Sequence, residues 1–265
     1  MNNRMINAMN DKNILKLVIL AGKIMLESGA ETYRIEDTME RICSVEDINA
    51  VNTFVTPTGI FVSVHTKTDE HFTTIRRVKT RTTNLSKVYQ VNNISRQFVA
   101  GVISFEEALI LLEEIDNSDT QKRLYHILSA GCSSGFFAIL LGGSLGDSLI
   151  AAFCGALIQT FAIFSLNRGI SYFIPNLVGG SISAVIAILF AEILHIGSMD
   201  KIIIGSIMPL LPGLAITSAI RDTIYGDLVS GTTRGAEALL IAISIAAGVG
   251  IVLKIWIVLI GGISL

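Results

Sequence analysis

Cysteine, histidine, proline and tryptophan are all scarce in this 265-residue chain, and charge nearly vanishes after His126. The three cysteines (Cys43, Cys132 and Cys154) form no C-x-x-C pair, and two sit in apolar runs. They read as small packing residues, which excludes a disulfide or zinc framework. The four histidines are dispersed; His65 and His71 could face each other across neighbouring strands, but without a Cys or carboxylate pattern beside them no metal site is expected. A net charge of -2 lacks the basic excess that tracks phosphates, so nucleic acid is not an expected partner. No G-x-x-x-x-G-K-[ST] loop occurs, leaving no sign of ATP drive. No cofactor is expected and the chain is not read as an enzyme.

What is present is apolar. Hydrophobic residues make up 51% and charged ones 16%, where a soluble domain carries about 25% charged. The deficit is uneven: Met1–His126 holds 31 Asp, Glu, Lys and Arg, and Ile127–Leu265 holds 11. Nineteen of the 23 glycines and three of the four prolines also lie after His126. The two regions suit two solvents, and glycine enrichment suits membrane helices that pack closely. The expected architecture is an α-helical polytopic membrane protein of about five transmembrane helices (127–265) behind an N-terminal cytoplasmic α+β domain (1–126).

The N-terminal segment is polar, and its first apolar stretch is short and interrupted by Lys16 and Lys23, so neither a signal peptide nor a span is expected there. Helical spacing predicts a helix over about 14–27. Ser28 and Glu31 have capping-box spacing for a second helix, "AETYRIEDTMERIC". Its apolar face holds Ile35, Met39 and Ile42; Arg34, Asp37 and Arg41 lie on another, with Asp37 and Arg41 at i, i+4. "AVNTFV" and "IFVSVHT", joined by "TPTG", predict a hairpin whose turn uses Pro57, Thr58 and Gly59. A third strand over 71–78 and two helices over about 84–100 and 104–116 follow, the last opened by a Ser104–Glu107 capping box.

Five apolar stretches come next: Ile127–Leu145, Ser148–Leu166, Phe173–Leu194, Ile202–Ile220 and Glu237–Ile260. Each reaches about 19 residues, enough to cross a hydrocarbon core. Lys122, Arg123, Arg168, Arg221 and Arg234 fall at the start and in alternate loops, which predicts a cytoplasmic N-terminus and an external C-terminus. "GCSSG" at 131–135 matches a G-x-S-x-G nucleophile elbow, but that motif needs a strand-to-helix turn; in an apolar helix its G-x-x-x-G spacing serves helix packing.

In the fourth stretch Pro209 and Pro212 remove backbone donors and Gly213 relaxes the chain, predicting a kinked or broken helix. Transporters use such breaks to aim half-helix ends at a substrate, and Thr217 and Ser218 could add hydroxyl contacts. Immediately after come Arg221, Asp222, Asp227, Arg234 and Glu237, five of the eleven late charges. Two readings stand at this point. The cluster is a cytoplasmic loop whose arginines fix topology, or it lines a pathway in which Arg221 or Arg234 takes a substrate carboxylate and Asp222, Asp227 or Glu237 carries a coupling proton.

"ESGAETYRIEDTMERI", "TPTGIFVSV" and "PGLAITSAIRDTIYGDLVSGTTRGAEALL" together resemble the bacterial threonine/serine exporter family, the ThrE-like type. The resemblance runs from about Leu26 to Val252. It implies a multi-pass inner-membrane secondary exporter of threonine and serine, with a related two-subunit branch implicated in succinate export. Single-chain members of that family carry a second membrane bundle, so the resemblance implies a separate small membrane subunit as partner. It also draws attention to Pro212, Gly213, Arg221, Asp222, Gly226, Asp227 and Arg234, and to Ser28, Gly29, Glu31, Arg34, Thr58 and Gly59. The reading is a subunit exporting small polar amino acids in exchange for protons. The alternatives are a dicarboxylate cargo, or a membrane-anchored sensor or enzyme acting through the N-terminal domain.

Overall fold

The computed structural model describes residues 2–45, 48–66, 70–118, 123–171 and 173–260, so that Lys122 lies outside the described residues. The chain is mostly helical, with one small sheet near its N-terminal end. It divides into two compact units, one of Met1–Thr120 with Thr217–Gly235, the other of Gln121–Ile216 with Ala236–Leu265. Each is described by itself.

The first unit opens with α1 (Asn2–Glu27), twelve residues longer at its start than apolar periodicity predicts. Residues 2–13 hold neither Pro nor Gly, so nothing breaks the helix, but they also lack the apolar repeat that would reveal it. α1 ends in a Schellman turn: the Ala30 N–H donates to the Met25 carbonyl and the Gly29 N–H to that of Leu26, with Gly29 at φ 83°. This corrects the expected Ser28–Glu31 capping box. Ser28 is spent in closing α1, and Glu31 is itself the N-cap of α2 (Thr32–Cys43), with no side-chain cap bond. Ile35, Met39 and Ile42 are buried as their spacing requires, and Asp37 pairs with Arg41 on the outer face. Cys43 is buried beside them; burial pushes its thiol up to about 12, so it packs rather than reacts.

β1 (Ile48–Thr56), β2 (Gly59–Thr66) and β3 (His71–Arg77) form an antiparallel sheet in that order. The predicted hairpin is present, with Thr56 opposite Gly59 and only Pro57 and Thr58 between them. Residues alternate as a one-sided sheet requires: Val55, Ile60, Val62 and Val64 face the core. α3 (Leu85–Val99) and α4 (Phe105–Asn117) complete this unit, and the Ser104–Glu107 capping box forms as predicted. Lys23 of α1 reaches the Asp116 carboxylate of α4 at 2.8 Å. The later segment of the unit, 217–235, comprises most of α9 (Gly213–Ile224), the turn after it and the start of α10 (Leu228–Ile260).

The second unit contains α5 (Arg123–Leu140), α6 (Leu145–Asn167), α7 (Phe173–Ile188) continued by a π turn, α8 (Met199–Ile207) and most of α10. Large apolar side chains point outward, among them Phe136, Leu140, Leu149 and Val258, each more than 70% exposed. Such a surface suits lipid, not water. Inside, Gly131 and Gly135 of "GCSSG" lie against α6, where a Cβ on Gly135 would stand 3.0 Å from the Ser148 carbonyl; the segment is helix packing, not a nucleophile elbow. The Asp147 carboxylate closes the N-terminus of α6 through the Ser144 N–H at 2.7 Å. It also accepts the Ser198 N–H, just before α8, at 2.5 Å.

By length and hydropathy α6, α7 with its π turn, and α10 can each cross a membrane. The broken pair Met199–Leu210 and Gly213–Ile224 makes a fourth candidate, bent by 54°. The break falls where Pro209, Pro212 and Gly213 predict it: a 3₁₀ turn over Met208–Leu210, then extended Leu211, then a restart at Gly213. α5 carries Arg123 and His126 in its first turn and does not reach the same hydropathy, so among the described residues three or four spans stand where five were expected. α10 begins nine residues before the fifth apolar stretch and carries Arg234 and Glu237 inside a helix. Charged residues hide the start of that helix from a hydropathy reading, although "LVSGTTRGAE" contains nothing that forbids helix.

Candidate functional site

The charged residues after the broken helix do not stand alone. In the first unit they close on the segment between α1 and α2. Asp222, in the last turn of α9, is fully buried. Its Oδ2 lies 3.1 Å from Nε of Arg234, which is itself only 5% exposed. Its Oδ1 accepts the Thr32 N–H at 3.3 Å and the Thr32 hydroxyl at 2.9 Å. The other end of the Arg234 guanidinium donates to the Ala30 carbonyl at 2.7 Å. A buried ion pair is strongly held only when its remaining donors and acceptors are also met; here the α1–α2 turn meets Oδ1 and Nη2 through Thr32 and the Ala30 carbonyl, while Oδ2 and Nε have each other as an ion pair without hydrogen-bond geometry.

Asp227 follows Gly226, whose φ of 95° turns the chain from α9 into α10. Its Oδ2 lies 2.9 Å from the Thr32 hydroxyl. Thr32 thus stands between two carboxylates with one hydroxyl hydrogen, so at any instant it donates to one of them. The Ser230 hydroxyl, in the first turn of α10, reaches the Val55 carbonyl at 3.5 Å, while the Val55 N–H donates to Glu36 at 2.8 Å. Glu36 is one turn beyond Thr32 on α2. Burial, more than the neighbouring charges of Asp227, Glu40 and Asp222, pushes its carboxyl up to about 7.

At the rim the Glu31 carboxylate is shared by two arginines: Arg34 at 3.1 Å, and Arg221 in a close pair. The Arg221 side chain remains 47% exposed. Tyr33 and Tyr225 stack beside them with ring centroids 4.4 Å apart. The hydrogen bond from Arg34 to Tyr33 raises the Arg34 pKa above its ordinary value, holding that guanidinium charged.

Of the residues singled out in the sequence, the structure gathers Glu31, Arg34, Arg221, Asp222, Asp227 and Arg234. Pro209, Pro212 and Gly213 make the break. Thr217 is exposed on α9 one turn before Arg221, and Glu237 falls in the second unit. Ser28, Thr58 and Gly59 serve turns: the Ser28 carbonyl accepts the Asn84 N–H, and that of Thr58 accepts the Val78 N–H. Asp37 stays with Arg41. His65 and His71 do face each other, stacked at 4.1 Å, and no group of three metal-ligating side chains occurs among the described residues.

Sequence reasoning misses Thr32 and Glu36. A signal for Thr32 exists: it lies on the stripe with Ile35, Met39 and Ile42, and a polar residue on a buried stripe calls for a partner. Its partners are about 190 residues away, which no local pattern carries.

The family model ThrE, "Putative threonine/serine exporter", matches residues 16–256. A threonine/serine exporter of Corynebacterium glutamicum is 28% identical over 90% of this chain and 50% of its own length. A protein of Mycobacterium tuberculosis named "Probable threonine/serine exporter" is 24% identical over 94% of this chain and 47% of its own. The chain therefore spans about half the length of these relatives. It spans 94% of the "Probable succinate transporter subunit YjjP" of Klebsiella aerogenes, at 23% identity. No solved structure matches. With the family match covering both the clasped turn and the apolar helices, the chain is a multi-pass membrane protein of the ThrE threonine/serine exporter family.

Proposed function

We propose that this chain is a secondary-transport subunit of the cytoplasmic membrane, exporting small polar amino acids such as threonine and serine in exchange for protons. The observation that carries the proposal is the broken helix: α8 and α9 are bent by 54°, and the second half ends in Arg221 and Asp222. A plain anchor gains nothing from such a break, whereas a transport path uses the backbone groups it frees. This favours transport over the anchored sensor or enzyme. α5 joins α6, α7, the α8–α9 pair and α10 as a fifth span, with residues 1–126 in the cytoplasm and the C-terminus outside, as the arginine distribution favours.

Arg234 is enclosed by Asp222 and the Ala30 carbonyl, so it positions the turn. The half-exposed Arg221 suits a substrate carboxylate better. The paired contacts of Thr32 suit a proton: one proton on the Asp222–Asp227 pair supplies the donor that a single hydroxyl lacks. A second small membrane subunit completes the path. That part of the proposal draws on the near full-length match to a relative named as a subunit. The same match supports a second reading, a dicarboxylate cargo.

The test is efflux from cells preloaded with threonine, serine or succinate, expressing this chain alone, with its proposed partner, or neither. Threonine or serine efflux that needs both chains is the expected result. Succinate efflux would move the cargo to the second reading. No efflux of any of them would refute transport.

A further inference from the structure

The sheet of the first unit has one covered face and one open face. The open face is built from alternate residues in register: Phe54, Phe61 and Ile75 form one row across the three strands. These side chains are 52%, 38% and 64% exposed, and the two phenyl rings are 5.9 Å apart. On one side of this row lies Arg77, opposite Gly59, with exposed Lys79 two residues on. On the other side come uncharged Asn52, Ser63 and Thr73, the last two joined through their hydroxyls at 3.1 Å, and then the stacked His65 and His71. No Asp or Glu occurs in the described residues of the three strands.

From this placement the geometry points to the open face as a contact for the anionic surface of a lipid bilayer. The Phe54–Phe61–Ile75 row enters the headgroup boundary, and Arg77 and Lys79 meet lipid phosphates. Aromatic and aliphatic side chains flanked by cations, with hydroxyls at headgroup level, are the composition that binds an anionic interface. A second copy of the chain fits less well, because face-to-face pairing would bury Arg77 against strands that carry no carboxylate, exposed Glu70 lying just outside them. Three side chains bind a bilayer only weakly by themselves. In a chain already held in a membrane, contact is intramolecular and weak affinity suffices. The inference is independent of cargo and of the partner subunit.

The test uses the full chain in nanodiscs, with Trp256→Phe removing the native indole and Phe54→Trp placing a reporter in the row. In bilayers containing phosphatidylglycerol, brominated lipid is expected to quench the introduced indole while acrylamide does not. In pure phosphatidylcholine the quenching by lipid is lost. Arg77→Gln with Lys79→Gln on the same background is expected to shift the contact equilibrium by about 30-fold toward the acrylamide-accessible state. An indole open to acrylamide in both bilayers overturns the inference. So does equal lipid quenching in both, or an indole shielded from acrylamide and from brominated lipid alike, which would place protein on this face.

Discussion

Replacing Arg234 by Met removes the cation from a site closed off from the surface. Asp222 is fully buried and Arg234 is 5% exposed, so the substitution leaves the carboxylate held in the clasp by the Thr32 N–H and hydroxyl, and takes the guanidinium from the Ala30 carbonyl. Breaking a buried pair from one side costs about 3–5 kcal/mol, and the lost carbonyl contact adds about 1 kcal/mol. A cost of even 3 kcal/mol is on the order of a 100-fold shift in the opening of the clasp. Hydrogen exchange read by mass spectrometry on the full chain in nanodiscs localises it. Protection of amides in 30–36 and 219–234 should fall by about 100-fold or more, while α6 keeps its own. Asp222→Asn with Arg234→Met, which removes both charges, should recover roughly 1–3 kcal/mol of the loss. Exchange within about threefold of the parent chain in Arg234→Met would refute the reasoning, because it would mean that the pair does not hold the turn.

Two further outcomes follow from other parts of the molecule. The Glu36 carboxyl, pushed up to about 7 from an ordinary 4.5, keeps a proton in the folded unit over a window in which the unfolded chain has lost it. Its contribution to stability is therefore complete below about pH 4.5 and disappears as pH rises through 7; Glu36→Gln should flatten that slope in unfolding measured between about pH 5 and 8, and an unchanged slope would count against the assignment. In the second unit a Cβ on Gly180 would stand 2.5 Å from the Ile245 carbonyl, where backbone cannot yield as a side chain can. Gly180→Ala should lower stability by about 1–3 kcal/mol in a thermal melt, against less than about 0.5 kcal/mol for Gly250→Ala, where a Cβ meets nothing within 4 Å.

Local features were legible in the sequence where a short-range cause exists. The Pro57–Thr58 hairpin, the Ser104–Glu107 cap and the break at Pro209–Gly213 each depend on residues within a few positions of one another. Glu31 misled because its spacing from Ser28 fits a capping box, but Gly29 ends α1 first and turns Ser28 to that task. The start of α10 was hidden by Arg234 and Glu237, which interrupt hydropathy without interrupting helix. In the site, the charges themselves were visible as an anomaly in an apolar half. Their partners were not: Thr32 is uncharged, and its tie to Asp222 is tertiary.

Thr32 also offers the most direct test of the account. Thr32→Val keeps the shape of the side chain and removes the one hydroxyl shared by Asp222 and Asp227. The measurement is the initial rate of threonine efflux from preloaded cells, at matched membrane levels of the chain and with its proposed partner present. The account predicts that efflux falls by at least about tenfold, since a buried hydrogen bond to a charged group is worth about 1.5–3 kcal/mol. Efflux at the parent rate would contradict it, and would return the residues from Arg221 to Glu237 to a loop that sets topology alone.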